Sequence, residues 1–187
     1  MTRPPGDALA DALLEHAYLE GDFVLRSGKR SSYYLDKYRF ETRPELLRQL
    51  GARIAETVQL YASDATRLAA PELGAVALAT AASLDSGLPF LIVRKESKGY
   101  GTGNRLEGVY EEGECVCVVE DVVTSGGALL DSVAALRGAG LVVHTAVCVV
   151  DREEGGADAL ARQAVRLRPL FRAGELLAGR VAAKPHG

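Results

Sequence analysis

At 187 residues the chain is long enough for one ordinary domain, or one with a small appendage, and too short for a (β/α)₈ barrel with its full set of helices. Apolar residues at 48% and charged residues at 25% exclude intrinsic disorder, and a net charge of −3 excludes a generally basic nucleic-acid binder. No run of roughly 18 apolar residues occurs, and Met1-Thr2-Arg3-Pro4-Pro5 lacks the apolar stretch of a signal peptide, so a cytoplasmic protein without a membrane partner is expected.

Residues 6–20 place Leu9, Leu13, Leu14 and Tyr18 at helical spacing, and Gly21-Asp22 ends that helix. Phe23 to Arg26 reads as a strand, Ser27-Gly28-Lys29-Arg30 as a turn and Ser31 to Tyr38 as the returning strand of a hairpin. Pro44 opens a long amphipathic helix through Leu46, Leu47, Leu50, Ile54 and Val58. From residue 67 strands and helices alternate: strand 67–70, helix 74–86, strands 89–94 and 115–120, helix 127–139, strand 141–150, helix 157–163, strand 165–171 and a last short helix. That alternation predicts an α/β fold, a doubly wound and mostly parallel sheet flanked by helices. Residues 1–40 then form a small N-terminal helix-and-hairpin hood, and 41–187 the core, whose C-terminal end packs back on the hood. Residues 96–114 show no periodicity and hold several glycines, which fits either a substrate-covering loop or an exposed hairpin tip.

Cys115, Cys117 and Cys148 lie in valine-rich runs. No second cysteine or histidine pair completes a zinc set with the Cys-x-Cys pair, so the three are expected to be reduced core thiols.

The sharpest chemical signal is Val116-Cys117-Val118-Val119-Glu120-Asp121-Val122-Val123-Thr124-Ser125-Gly126-Gly127. An apolar strand ends in two acids, and a hydroxyl- and glycine-rich turn then opens a helix. In an open parallel sheet ligands bind beyond the carboxyl ends of strands, and the amides of Thr124 to Ala128 form a cradle for one phosphate. Carboxylates beside a phosphate cradle repel phosphate, so Glu120 and Asp121 serve another part of the same ligand. A sugar diol, whose hydroxyls carboxylates accept, matches a ribose 5-phosphate. The alternative is a plain capped strand-to-helix turn with both acids solvated. Arg94-Lys95-Glu96-Ser97-Lys98 adds three cations in five residues, and Lys95 and Lys98 are two of only five lysines among 22 basic residues. Such a cluster suits a polyanion or, alternatively, is a solvated basic surface.

The Thr-x-Gly-Gly segment with its acid pair resembles the phosphoribosyl-diphosphate signature of the type I phosphoribosyltransferases. The hairpin from Phe23 to Asp36, the segment from Val93 to Thr102 with Glu107-Gly108, and Val150-Asp151-Arg152-Glu153-Glu154-Gly155-Gly156 narrow the resemblance to orotate phosphoribosyltransferase, over residues 20–160. The resemblance implies transfer of ribose 5-phosphate from phosphoribosyl diphosphate to orotate, in the synthesis of UMP. It further implies Mg²⁺ carried by the substrate without direct protein ligands, and a homodimer with shared active sites and no nucleic-acid partner. Carried over residue by residue, Lys98, Asp121 and Glu120 are catalytic. Phosphoribosyl diphosphate is met by Arg94, Lys95, Lys98, Tyr100, Glu72 and Leu73 as well as Glu120, Asp121, Val122, Val123, Thr124, Ser125, Gly126, Gly127 and Ala128. Orotate is met by Arg26, Tyr34, Leu35, Thr124 and Arg152. Ala128 stands where the family usually has Ser or Thr, a difference of one side-chain hydrogen bond, about 1 kcal/mol. Tyr100 stands where some members have His, and Arg26 where many have Lys. The family's pyrophosphate loop often holds a cis peptide, expected here at Pro71–Glu72. A purine-base phosphoribosyltransferase, or a nucleic-acid-binding regulator that keeps the same pocket, are the other classes open to such a chain.

Overall fold

A computed structural model of the chain describes residues 7–24, 28, 30–95 and 105–181, without the side chains of the last three. Asp7 caps α1 (Ala8–Ala17), accepting hydrogen bonds from the amides of Leu9 and Ala10. β1 (Tyr18–Val24) and β2 (Arg30–Leu35) form an antiparallel two-stranded sheet. β1 begins five residues earlier than expected, because Tyr18 and Leu19 pair with Leu35 and Tyr34, and the Tyr18 ring stacks on Tyr33 at 5.7 Å. β2 ends at Leu35, short of Tyr38, since Tyr38–Glu41 coil into a short helix, α2.

Pro44 sits in the first turn of α3 (Pro44–Tyr61), where its missing N–H costs nothing. There follow β3 (Arg67–Pro71), α4 (Gly74–Ser86), β4 (Phe90–Val93), β5 (Leu106–Glu107), β6 (Cys115–Val123), α5 (Gly127–Gly138), β7 (Val142–Asp151), α6 (Gly156–Arg162), β8 (Arg166–Arg172) and α7 (Ala173–Val181). The six-stranded sheet has the order β5-β4-β3-β6-β7-β8, parallel throughout except for β5 on β4. β5, within the segment the sequence left unassigned, is too short to show a period. Its antiparallel pairing to β4 is continued by the Arg94 amide, which donates to the Arg105 carbonyl at 2.8 Å.

Alternate residues of β6 serve two cores. Cys117 and Val119 pack with residues of α1, α3, α4 and α7, whereas Val116 and Val118 pack with α5 and α6. Burial on both faces explains the continuous valine runs. Leu9, Leu13 and Leu14 share the first cluster with Leu50 and Ile54 of α3, so α1 is built into the core, and the hairpin is the part that stands as a separate sheet. Ala173 and Leu176 of α7 join the same cluster. Cys117 and Cys148 are free and buried; burial pushes the Cys117 thiol up to about 12. Cys115 is free but only partly buried. No described helix is long and apolar enough to cross a membrane.

Candidate active site at the carboxyl end of the sheet

β6 runs on past the acid pair to Val123, since Glu120, Val122 and Val123 pair with Cys148, Val150 and Asp151. The two acids therefore lie inside the ladder rather than at its end, and both are buried. Beyond Val123 the chain turns through Thr124 and Ser125 to Gly126, whose φ of +80° caps α5 in the left-handed region. A Cβ on Gly126 would stand 3.2 Å from Gly156 Cα, and one on Gly156 would stand 2.5 Å from the Thr124 carbonyl. Two glycines thus let the turn after β6 press against the start of α6. The first turn of α5 carries no acid, which leaves its amide ends free to favour an anion. Val122 to Leu129, with Glu120, line a cleft of about 360 Å³.

The acid pair is organised by two residues that the sequence reading passed over. Lys37, just before α2, places Nζ 2.6 Å from Asp121 Oδ2, and Glu41 is buried beside them with Oε1 lacking a hydrogen-bond partner. Asp121 Oδ1 accepts the Val122 amide at 2.5 Å, and Glu120 Oε1 accepts the Asp121 amide at 3.0 Å. Burial works against the Lys37 ammonium, but the bond to Asp121 and the nearby charges of Asp121, Glu41 and Glu120 outweigh it and hold its pKa above the ordinary value. Burial, then the Asp121 charge, push both Glu41 and Glu120 upward, each to about 8. Below that pH the cluster is close to one Lys37–Asp121 pair with two neutral carboxyls. The only hint of Lys37 in the sequence is the rarity of lysine; its distance of 84 positions from Asp121 hides the pairing.

Gly74 opens α4 directly under this cluster. A Cβ there would overlap Asp121 Oδ2 and come within 2.8 Å of Lys37 Nζ. Gly74→Ala is accordingly expected to lower stability by about 1–3 kcal/mol, read by urea denaturation. Glu72 and Leu73 form the turn between β3 and α4, with Leu73 71% exposed. The cis peptide is Glu72–Leu73, one bond beyond the expected Pro71–Glu72. The latter stays in the ladder, with Pro71 paired to Val93 and the Glu72 amide donating to the Val93 carbonyl at 2.9 Å. Glu72 Oε1 accepts the Lys95 amide at 2.8 Å, which ties this turn to the end of β4. Arg94, also at that end, keeps its Nε buried without a hydrogen-bond partner and has its NH1 nitrogen 3.8 Å from Glu107.

Across the cleft, the Arg152 amide donates to the Val123 carbonyl at 2.9 Å, so the arginine leaves β7 beside the turn. Its side chain is 8% exposed, stacks over the Tyr33 ring at 5.2 Å and pairs with Glu154 at 2.9 Å, not with Asp151 or Glu153. Tyr33 is thus the hairpin aromatic brought to Arg152. Pleating turns Tyr34 to the opposite face, against Phe23 at 5.6 Å, and leaves Leu35 5% exposed in the core. Arg26, Lys98 and Tyr100 lie outside the described residues.

Known proteins share the sequence and the fold of this chain. An orotate phosphoribosyltransferase of Methanocella arvoryzae is 51% identical over 157 residues, covering 84% of this chain and 88% of that protein. Among solved structures, orotate phosphoribosyltransferase from Aeropyrum pernix superposes with a TM-score of 0.83 at 33% identity, over 94% of this chain and 99% of that one. The Mycobacterium tuberculosis enzyme in complex with 5-phospho-α-D-ribosyl 1-diphosphate gives 0.76 at 28% identity, over 90% and 96%. No family model matches the chain.

Proposed function

The chain belongs to the orotate phosphoribosyltransferases, and on that footing we propose how its residues divide the work. The reaction moves ribose 5-phosphate from 5-phosphoribosyl 1-diphosphate to N1 of orotate, yielding orotidine 5′-phosphate and pyrophosphate for pyrimidine synthesis. The observation that carries the assignment of roles is one cleft lined both by Glu120 and by the amide-rich turn Val122–Leu129. The turn from Thr124 to Ala128 holds the 5-phosphate, and Glu120 and Asp121 accept the ribose 2- and 3-hydroxyls. Arg152 takes the orotate carboxylate through its fork, with Thr124 beside it, while Tyr33 braces the guanidinium from the hairpin. Resemblance puts Arg26, Tyr34 and Leu35 on the base side; the stacking of Arg152 over Tyr33 supports Tyr33 there instead of Tyr34.

Glu72, Leu73, Arg94, Lys95, Lys98 and Tyr100 meet the pyrophosphate. Mg²⁺ brought in with the substrate would supply charge neutralisation at the pyrophosphate. The side chains of Glu120 and Asp121 offer oxygen, the donor type such a hard cation takes. Both Asp121 oxygens already accept from protein donors, which favours a metal carried by the substrate over one caged by the protein. Orotate N1 is acidic enough to need no strong protein base. Catalysis rests on aligning N1 behind C1 and on stabilising the leaving pyrophosphate as an oxocarbenium-like centre develops. The active unit in this reading is a cytoplasmic homodimer in which the loop bearing Lys95 and Lys98 reaches the neighbouring subunit's site.

Loss of orotate absorbance on mixing the protein with Mg²⁺ and phosphoribosyl diphosphate tests the reaction; turnover with a purine base in place of orotate rejects it. In the same assay Lys98→Ala is expected to cut kcat by about a hundredfold or more with an unchanged melting temperature. Undiminished turnover removes Lys98 from the mechanism.

A further inference from the structure

At the opposite end of the sheet three side chains of metal-ligating type converge. Asp64 lies in the connection between α3 and β3, Cys115 opens β6, and His144 stands near the start of β7, with one ligand atom of each within 4.8 Å of the others. Cys115 Sγ donates to Asp64 Oδ2 at 3.4 Å. Asp64 and His144 are exposed and Cys115 is half-buried, so the cluster is open to solvent.

The backbone holds all three in place. The Thr66 amide donates to the Cys115 carbonyl at 2.9 Å, and the Ala65 amide closes a turn on Ala62 at 2.9 Å, which fixes Asp64 against the start of β6. Between the pairs Cys115–Val142 and Cys117–Thr145, β7 holds one residue more than β6. This bulge lies where His144 is presented to solvent between the buried Val143 and Thr145. The neighbouring Glu114 is already bound bidentately by Arg67, at 2.8 and 3.0 Å, and leaves the three as a separate set.

We propose that Asp64, Cys115 and His144 form a binding site for a zinc ion. Thiolate, imidazole and carboxylate are the donor types of Zn²⁺, and three of them leave a fourth tetrahedral position for water. Bonds of about 2.0–2.3 Å set tetrahedral edges of about 3.3–3.8 Å, so side-chain rotation within the present separation suffices. The ion binds as the Cys115 thiol releases its proton to solvent, and thiolate plus carboxylate balance its charge. A thiolate donor disfavours Mg²⁺, which prefers oxygen and water. Five residues of β6 put Cys115 about 17 Å from Glu120, so this site is separate from the substrate's Mg²⁺.

Cobalt(II), added to the full chain without nucleotide, is the probe. One ion per chain is expected to give a near-ultraviolet thiolate-to-cobalt charge-transfer band with the visible bands of a four-coordinate ion, both bleached by equimolar zinc. Cys115→Ser is expected to abolish the charge-transfer band, and His144→Ala to weaken cobalt binding by about tenfold or more. Both variants should keep wild-type circular dichroism and orotate turnover, because the cluster reaches the surface far from the cleft. Cobalt binding without the charge-transfer band, or a band retained in Cys115→Ser, or binding unaltered in His144→Ala, overturns the proposal.

Discussion

Lys37→Met is expected to destabilise the protein by about 3 kcal/mol at pH 8, measured by urea denaturation. The change leaves the buried Asp121 carboxylate without its cation, with Glu41 and Glu120 still beside it. Removing one partner of a buried pair costs about 3–5 kcal/mol, and partial exposure of Lys37 places this case at the low end. The pH dependence follows from linkage. Glu41 and Glu120 titrate near 8 in the folded chain against about 4.5 when unfolded, so the folded state binds more protons between those values. Stability of the wild type therefore falls as pH rises through that window. In Lys37→Met the three acids lose their common cation and the fall is steeper, so the difference from wild type is smaller at pH 6 than at pH 8. Lys37→Met combined with Asp121→Asn recovers much of the lost stability but not activity. A loss equal at both pH values would show that Lys37 acts by packing its stem rather than by charge.

Gly126→Val is expected to abolish useful activity while the chain still folds. The φ of +80° puts a β-branched residue in a region that costs about 1–2 kcal/mol, and the new Cβ meets Gly156 Cα at 3.2 Å. The turn can relieve that contact only by moving away from α6, which displaces the amides proposed to hold the 5-phosphate. A shift of about 1 Å costs about a hundredfold in rate, so kcat/KM for phosphoribosyl diphosphate should fall at least that far. Isothermal titration with inorganic phosphate gives an independent reading, with binding weakened in parallel. Wild-type phosphate affinity in the variant would move the phosphate site elsewhere.

Much of the site was legible in the sequence because it is contiguous. Glu120 to Ala128 falls within nine residues, and the strand–turn–helix pattern alone orients the amides of the turn toward one ligand. The alternation after residue 67 marked the parallel sheet for the same local reason, and α4 was placed at its observed bounds. What escaped was whatever depends on pairing. β6 extends past the acids because β7 offers partners as far as Asp151, and β5 exists only because β4 provides an edge. Tyr33 rather than Tyr34 meets Arg152 because the register of the hairpin decides which face of a pleated strand looks inward.

The sequence by itself determined the α/β class, the glycine-rich turn that opens α5 and the family resemblance, since each rests on the order and spacing of near neighbours. Only the tertiary structure decided that Asp121 is buried under Lys37 and Glu41, and that Cys115 stands beside Asp64 and His144. These contacts span 84, 80, 51 and 29 positions of chain. The physical reason is that a parallel sheet brings together strand ends that are remote in sequence, and periodicity carries no information about which remote side chains will meet.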